Sequence, residues 1–222
     1  MEFEPRAFLA IVMFAGAVWS DLQTRRVANQ YWWPFMAMAA ILVIGDLLQG
    51  EWRVYAIALV VTTFAYLLYA LRLFGGADAK GLMVLAWLFP GWPAGYGTVP
   101  AMDALVNATV VSLAIPLALL LQNLVRGNFA PAAPLGVPMD LEEARSRHVW
   151  PMHHVVDGEV KWKLWQQIGT DMDARYEELR AAGMKRVWVT PKIPFMVPLT
   201  LGLLLAVWFG NLVIRVTIAY RF

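Results

Sequence analysis

The stretch GGADAKG, residues 75–81, lies between two strongly apolar segments of the chain. An unpaired carboxylate at Asp78 would therefore lie at the edge of a bilayer, where a charge is costly to hold. A second carboxylate, Asp21, closes the first apolar segment in the same manner. The two aspartates are predicted to form one site.

The composition indicates a membrane protein and not a soluble domain. Of 222 residues, 60% are hydrophobic and only 15% are charged. The net charge of +2 is too small to indicate a nucleic-acid partner. No cysteine is present, which excludes disulfides, thiolate zinc sites and a cysteine nucleophile. The histidines, His148, His153 and His154, all lie in the polar part of the chain, so no metal or other cofactor is expected.

Six apolar segments predict an all-α polytopic membrane protein with six transmembrane helices, since about 20 residues cross a bilayer core. Five segments and both aspartates fall within residues 1–125, and the sixth falls within residues 193–222. The segments are 7–22, 31–48, 52–74, 82–89, 101–124 and 195–219. The fourth is the shortest and could instead be re-entrant. Asp103, near the start of the fifth, is expected to be a cap or loop charge.

Residues 126–192 differ in composition, with ten Lys/Arg and nine Asp/Glu. They open with the proline-rich residues 130–134, which is a linker signal. This segment is predicted to be a small cytoplasmic soluble domain between helices five and six. Helices are expected over residues 141–148 and 164–182.

The distribution of positive charge predicts the orientation. Glu2 and Glu4 precede the first apolar segment, and Arg25 and Arg26 follow it. With an external N-terminus, six spans place fourteen of the lysines and arginines on the cytoplasmic side and four outside, in agreement with the positive-inside rule. We therefore expect a multi-pass protein of the cell (plasma) membrane, with both aspartates at the cytoplasmic face.

Paired carboxylates can hydrolyse a peptide bond without a metal. Two carboxyl groups held close together cannot both ionise, so the pair shares a proton. One member then acts as a base toward water, and the other donates a hydrogen bond to the scissile carbonyl. Gly75 and Gly76 would allow close approach of a substrate strand.

Two motifs resemble those of known membrane proteases. Residues 75–78 resemble the GxGD signature of intramembrane aspartyl proteases, although Ala77 stands where the signature has its second glycine. Residues 21–29 are similar to the first-aspartate motif of type IV prepilin peptidases, an aspartate followed by Arg25 and Asn29 at the matching spacing. The overall layout most resembles the archaeal branch, the preflagellin (prearchaellin) peptidases.

This resemblance implies an aspartic endopeptidase that removes the short basic leader from archaellin or type IV pilin-like precursors. Asp21 and Asp78 would be catalytic, and the partners would be the precursor helix and the lipid bilayer. Supporting roles would fall to Gly75, Gly76, Ala77, Lys80, Arg25 and Asn29. No methyltransferase activity is expected, because the cysteine-containing domain of the bacterial enzymes has no counterpart here.

Simpler interpretations exist for each aspartate taken alone. Asp21 could be a helix-end residue paired with Arg25, and Asp78 could be a helix cap. Lys80 could tune Asp78 electrostatically or act as an interfacial anchor. Two other functions stay open: a proton-coupled transporter that uses the aspartates as a relay, and a non-catalytic membrane assembly subunit.

Overall fold

The computed structural model of the chain describes residues 5–92, 98–147, 149–164 and 170–219. The helices within these residues are α1 (Pro5–Thr24), α2 (Trp33–Leu48), α3 (Trp52–Ala70), α4 (Gly76–Leu88), α5 (Pro100–Ser112), α6 (Ala114–Val125), α7 (Leu141–Ser146), α8 (Met172–Ala181), α9 (Met196–Phe209) and α10 (Leu212–Ala219). A 3-10 turn, Asn29–Trp32, precedes α2. The strands are β1 (Val137–Asp140), β2 (Val149–Pro151), β3 (His153–Val156), β4 (Glu159–Trp162) and β5 (Arg186–Pro191).

The chain divides into two compact units. The first comprises Met1–Val111 and Pro194–Phe222, and the second comprises Ser112–Ile193. Both predicted aspartates belong to the first unit.

Length and composition identify four stretches of the described residues as candidate membrane spans: Pro5–Thr24, Asn29–Leu48, Trp52–Ala70 and Pro100–Val125. The bent pair α9 and α10, which meet at 43°, would be a fifth. The prediction of a mostly helical membrane protein is confirmed at this level. The count of six spans stays a prediction, since α4 has 13 residues and extends only about 20 Å, against a bilayer core of about 30 Å.

Helix α4 lies at the centre of the first unit, in contact with α1, α2, α3 and α9. Its sequence from Gly81 onward is apolar on every side, which is typical of a helix surrounded by others. Leu82, Leu85 and Leu88 are fully buried. At Gly81 an added Cβ would lie 3.4 Å from Phe14 and 3.5 Å from Trp32, which are ordinary packing contacts.

The last helical segment is broken between α9 and α10, and α5 supplies the polar groups at the break. Gly210 has a φ of 68°, and the side-chain amide of Asn107 donates to its carbonyl at 2.9 Å. The same side chain accepts from the backbone N–H of Leu212 at 3.0 Å. Asp103 accepts from Asn211 and Trp92, at 2.9 and 2.8 Å. Asp103 is only 1% exposed, so the expectation of a cap or loop charge there is wrong.

The second unit contains strands that the sequence analysis did not predict. Strand β5 lies between β1 and β2, antiparallel to both, with Val189 opposite Val137 and Pro151. Strands β3 and β4 form a separate antiparallel pair. The expected all-α architecture is therefore wrong for this part of the chain.

The helices predicted in the second unit are also shorter than expected. The helix expected over residues 141–148 ends at Ser146, and His148 lies outside the described residues. The helix expected over residues 164–182 is confirmed only as Met172–Ala181. Leu164 is not helical, and residues 165–169 lie outside the described part.

Candidate active site

Asp21 lies in the last turn of α1, where the local sequence ends the helix. Arg25 follows the helix with a left-handed φ of 56°, and its backbone N–H donates to the carbonyl of Asp21 at 2.9 Å. The hydroxyl groups of Ser20 and Thr24 both donate to the carbonyl of Arg26, at 2.9 and 2.8 Å. These bonds fix the chain as it leaves α1. The charge of Arg25 also acts on the Asp21 carboxylate.

Asp78 lies in the first turn of α4, for which Gly75 is the N-cap residue. Its carboxylate turns back toward the start of the helix and lies against the backbone N–H of Gly75. An acidic group in this position is favourable, because it satisfies an unpaired N–H and lies at the positive end of the helix dipole. A Cβ on Gly75 would lie 2.8 Å from Oδ2 of Asp78, so the glycine leaves the space that this carboxylate occupies.

The fold brings Asp21 and Asp78 together although they are far apart in sequence. Asp21 is close enough for its charge to act on Asp78. Both side chains are half-buried, and no hydrogen bond joins the two carboxyl groups in the part of the chain that the structure describes. The arrangement therefore has two carboxyl groups near each other, one at the end of α1 and one at the start of α4.

Lys80 and Asn29, two of the predicted supporting residues, contact each other. The Lys80 ammonium donates to Oδ1 of Asn29 at 2.5 Å. Residues two positions apart in a helix point in different directions, so Lys80 faces the side of α4 away from Asp78. The pair links the 3-10 turn before α2 to α4.

The other two supporting positions are small residues beside the helix start. At Gly76 the nearest atom to an added Cβ is Cε2 of Tyr69 at 3.6 Å, which is an ordinary contact. Ala77, which replaces the second glycine of the signature, is partly buried against the core of the first unit. The methyl group of Ala77 is therefore accommodated.

Sequence reasoning missed the contact that fixes the turn carrying Asn29 against α1. The hydroxyl of Tyr31 donates to the carbonyl of Met13 at 2.6 Å. Gly16 leaves room for this ring, since a Cβ there would overlap the Tyr31 hydroxyl. A glycine within an apolar helix, followed by a tyrosine in the next element, is the only sequence signal of this contact.

Sequence reasoning also missed a cluster of polar side chains that come from α1, α2 and α3. Arg6 on α1 donates to both carboxylate oxygens of Asp46 on α2, at 2.8 and 2.7 Å. Tyr55 on α3 donates to the same carboxylate and accepts from Arg6 at 3.4 Å. This cluster ties together the start of α1, the end of α2 and the start of α3.

Within the described residues, no group of three or more histidines, aspartates or glutamates could hold a metal ion.

Comparisons with known proteins address the identity of the chain. A family model described as type IV leader peptidase family matches residues 7–123, which include both aspartates. The chain belongs to the type IV leader peptidase family.

Further matches are consistent with this membership. A second model, described as Archaeal Peptidase A24 C-terminus Type II, matches residues 132–212 of this family member. A preflagellin peptidase from Methanocaldococcus jannaschii is 26% identical over an alignment 220 residues long, which covers 88% of this chain and 90% of the relative. The predicted resemblance and the predicted enzyme class, an aspartic-type leader peptidase, are confirmed.

Proposed function

We propose that this family member is a membrane aspartyl endopeptidase that removes the short basic leader from archaellin or type IV pilin-like precursors. Asp21 and Asp78 are its catalytic pair. The observation that carries the proposal is the packing of α1 against α4, which brings the end of one helix and the start of the other close enough for the charge of Asp21 to act on Asp78.

The pair hydrolyses the peptide bond by activating water. The ionised carboxylate takes a proton from a water molecule as the water oxygen attacks the scissile carbonyl carbon. The protonated partner donates to the carbonyl oxygen, which gains negative charge as the tetrahedral intermediate forms. When the C–N bond breaks, the leaving nitrogen takes the proton that the carboxylate removed from water, and the new carboxyl end is released.

The residues around the pair set its geometry. Gly75 leaves space for the Asp78 carboxylate, and the Gly75 N–H lies against it. Arg25 places a positive charge near Asp21. The Lys80–Asn29 hydrogen bond positions the start of α4 relative to the turn before α2.

Three observations support the proposed substrate and the proposed membrane face. The family is described by its action on a leader, and the similar protein from Methanocaldococcus jannaschii is named for preflagellin. The lysines and arginines lie mainly in segments that six spans would place in the cytoplasm. We therefore place the site at the cytoplasmic face of a multi-pass plasma-membrane protein, with residues 1–125 and 193–222 in the membrane and residues 126–192 in the cytoplasm.

Cleavage of a synthetic precursor in detergent micelles tests the proposal. The substrate has a basic leader, a glycine at the junction and an apolar helix. Wild-type protein is compared with Asp21→Asn and Asp78→Asn, each alone, and cleavage is followed by mass spectrometry. Glu51→Gln, at an exposed carboxylate between α2 and α3, is the matched control.

We expect wild type and Glu51→Gln to release the leader, and each aspartate variant to lose cleavage by at least about 1,000-fold, within the range seen when members of a catalytic unit are removed. Cleavage that survives both aspartate substitutions would place the chemistry elsewhere. A protein that cleaves nothing but loses proton-coupled flux in the same variants would be a transporter. If the protein cleaved nothing and both aspartate variants still supported assembly of a membrane complex as wild type does, the protein would be a non-catalytic subunit.

A further inference from the structure

A groove separates α2 from α3, and α4 forms its floor. We name it the α2–α3 groove; its lining includes Met36, Ala40 and Val43 of α2 and Met83 and Trp87 of α4. Its volume is about 680 Å³, within the range of about 300–1,000 Å³ that is typical of small-molecule sites. Neither Asp21 nor Asp78 lines it, so the groove is distinct from the proposed catalytic pair.

The groove opens sideways toward the bilayer. Trp33, Met36 and Ile44 line it and are largely exposed. Both α2 and α3 belong to candidate membrane spans, so their exposed apolar side chains face lipid. An acyl chain can therefore enter the groove without crossing the protein.

One end of the groove carries a positive charge with a neutral partner. Lys80 lines the groove, and its ammonium donates to the Asn29 amide oxygen. No salt bridge joins Lys80 to a carboxylate among the residues that the structure describes. Arg6, in contrast, has the carboxylate of Asp46. A charge beside apolar surface is stabilised by an opposite charge, and none of the described carboxylates forms an ion pair with Lys80.

We propose that the α2–α3 groove binds an anionic phospholipid. One acyl chain lies along the apolar walls, and the phosphate of the headgroup accepts hydrogen bonds from Lys80. Lysine suits this role, because its ammonium binds phosphate as a point charge. Among the described residues that line the groove, the Thr62 hydroxyl accepts from Trp87 at 2.8 Å, and the buried indole N–H of Trp32 has no hydrogen-bond partner. The rest of the lining is mostly apolar, which matches an acyl chain.

Native mass spectrometry of the full-length protein in detergent tests this site. The protein is titrated with phosphatidylglycerol or with phosphatidylcholine of the same acyl chains. We expect one phosphatidylglycerol molecule to bind roughly tenfold more tightly than phosphatidylcholine, which is the effect of a single hydrogen bond between charged groups.

Four variants separate the headgroup contact from the groove itself. Asn29→Asp gives Lys80 a carboxylate partner, and Lys80→Gln removes the charge; each is expected to abolish the tenfold preference. Ala40→Trp fills the groove from an exposed position of α2 and is expected to weaken the binding of both lipids. Ala37→Trp, also exposed on α2 but outside the lining, is the matched control and is expected to bind lipid as wild type does.

Three results would overturn the assignment. Equal binding of the two lipids by wild type would show that the headgroup charge does not contribute to binding. Undiminished phosphatidylglycerol binding by both Asn29→Asp and Ala40→Trp would place the lipid elsewhere. Stoichiometric displacement of bound phosphatidylglycerol by the apolar helix of a precursor peptide would assign the groove to substrate. Because lipid binding is read by mass, loss of peptidase activity leaves this test unaffected.

Discussion

Gly75 and Asp78 share one small space, since an added Cβ at Gly75 would lie 2.8 Å from Oδ2 of Asp78. The φ of Gly75 is −67°, which any residue can adopt. An added methyl group at Gly75 would therefore act on the neighbouring carboxylate, which would have to shift, and not on the backbone angle. This relation gives a test of the site that leaves both aspartates in place.

Gly75→Ala is expected to lower kcat/KM for leader cleavage by roughly 10- to 100-fold, because the methyl group displaces the Asp78 carboxylate by about 1 Å. Gly76→Ala is the matched control, since its Cβ meets nothing closer than 3.6 Å. Steady-state cleavage kinetics would be compared with thermal unfolding in detergent. Similar activity in the two variants would show that the carboxylate position does not depend on Gly75.

Gly202→Ala is expected to destabilise the first unit. An added Cβ would overlap the carbonyl of Ala104 and lie 2.6 Å from the backbone nitrogen of Ala108, so two helix backbones would have to separate. Overpacking of this kind typically costs about 1–3 kcal/mol. Thermal unfolding in detergent measures the effect.

The control for this substitution is Gly45→Ala, because nothing lies within 4 Å of its added Cβ. Alanine also favours a helix over glycine. Gly45→Ala should unfold at or above the wild-type temperature. If Gly202→Ala unfolded at the same temperature as Gly45→Ala, this result would contradict the close packing of α5 and α9.

The Arg6–Asp46 pair is expected to show strong coupling. Its side chains are 19% and 21% exposed, and breaking such a pair by removing one partner leaves a charge without compensation. Arg6→Met and Asp46→Leu should each destabilise the protein by about 3 kcal/mol. The free energy of unfolding of the double variant should be closer to the wild-type value than that of either single variant.

An exposed ion pair, Arg147–Glu143, provides the comparison for this double-mutant cycle. Arg147 and Glu143 are 59% and 44% exposed, and pairs of this kind contribute less than about 1 kcal/mol. Denaturation in detergent, followed by circular dichroism, gives the coupling energy for each pair. Equal coupling in the two cycles would mean that Arg6 and Asp46 behave as a surface pair.

The second unit is expected to lose stability in mild acid. Burial, and to a smaller extent the nearby charge of His154, lowers the pKa of His153 below its usual value of 6.5. The unfolded chain then takes up the proton before the folded one does. The stabilisation is present above pH 6.5 and is lost as the pH falls below this value.

Hydrogen exchange of β3 and β4 at pH 7.5 and pH 5, corrected for the intrinsic exchange rates, measures this loss. His153→Leu should reduce the pH dependence of protection. His154→Gln should retain most of it, because the charge of His154 is the smaller of the two causes that lower the pKa of His153. Equal protection of the wild-type strands at the two pH values would contradict the prediction.

The pairing of Asp21 with Asp78 could be predicted because both residues carry their signal locally. Each is a carboxylate at the boundary of an apolar segment, and each belongs to a short motif. The groove beside Lys80 could not be predicted in this way. It depends on the separation of α2 from α3, which no local pattern fixes.

The strands of the second unit were missed although one signal was present. Asp157 and Gly158 have φ values of 54° and 79°, and an Asp-Gly pair between β-branched residues favours a tight hairpin. The sheet around β5 had no such signal. Its strand pairs join residues from both ends of the unit, and the short strands alternate too briefly to be recognised.

The polar contacts at the break between α9 and α10 have a consequence for biosynthesis. Asp103 and Asn107 bind partners that the ribosome adds more than 100 residues later, at Asn211, Gly210 and Leu212. Until the final helices are made, the nascent α5 must hold a carboxylate and an amide whose hydrogen bonds are incomplete. Hydrocarbon is a poor solvent for such groups, so α5 is expected to remain near the insertion machinery until α9 and α10 have been made. Synthesis of α9 and α10 thus completes the hydrogen bonds of α5.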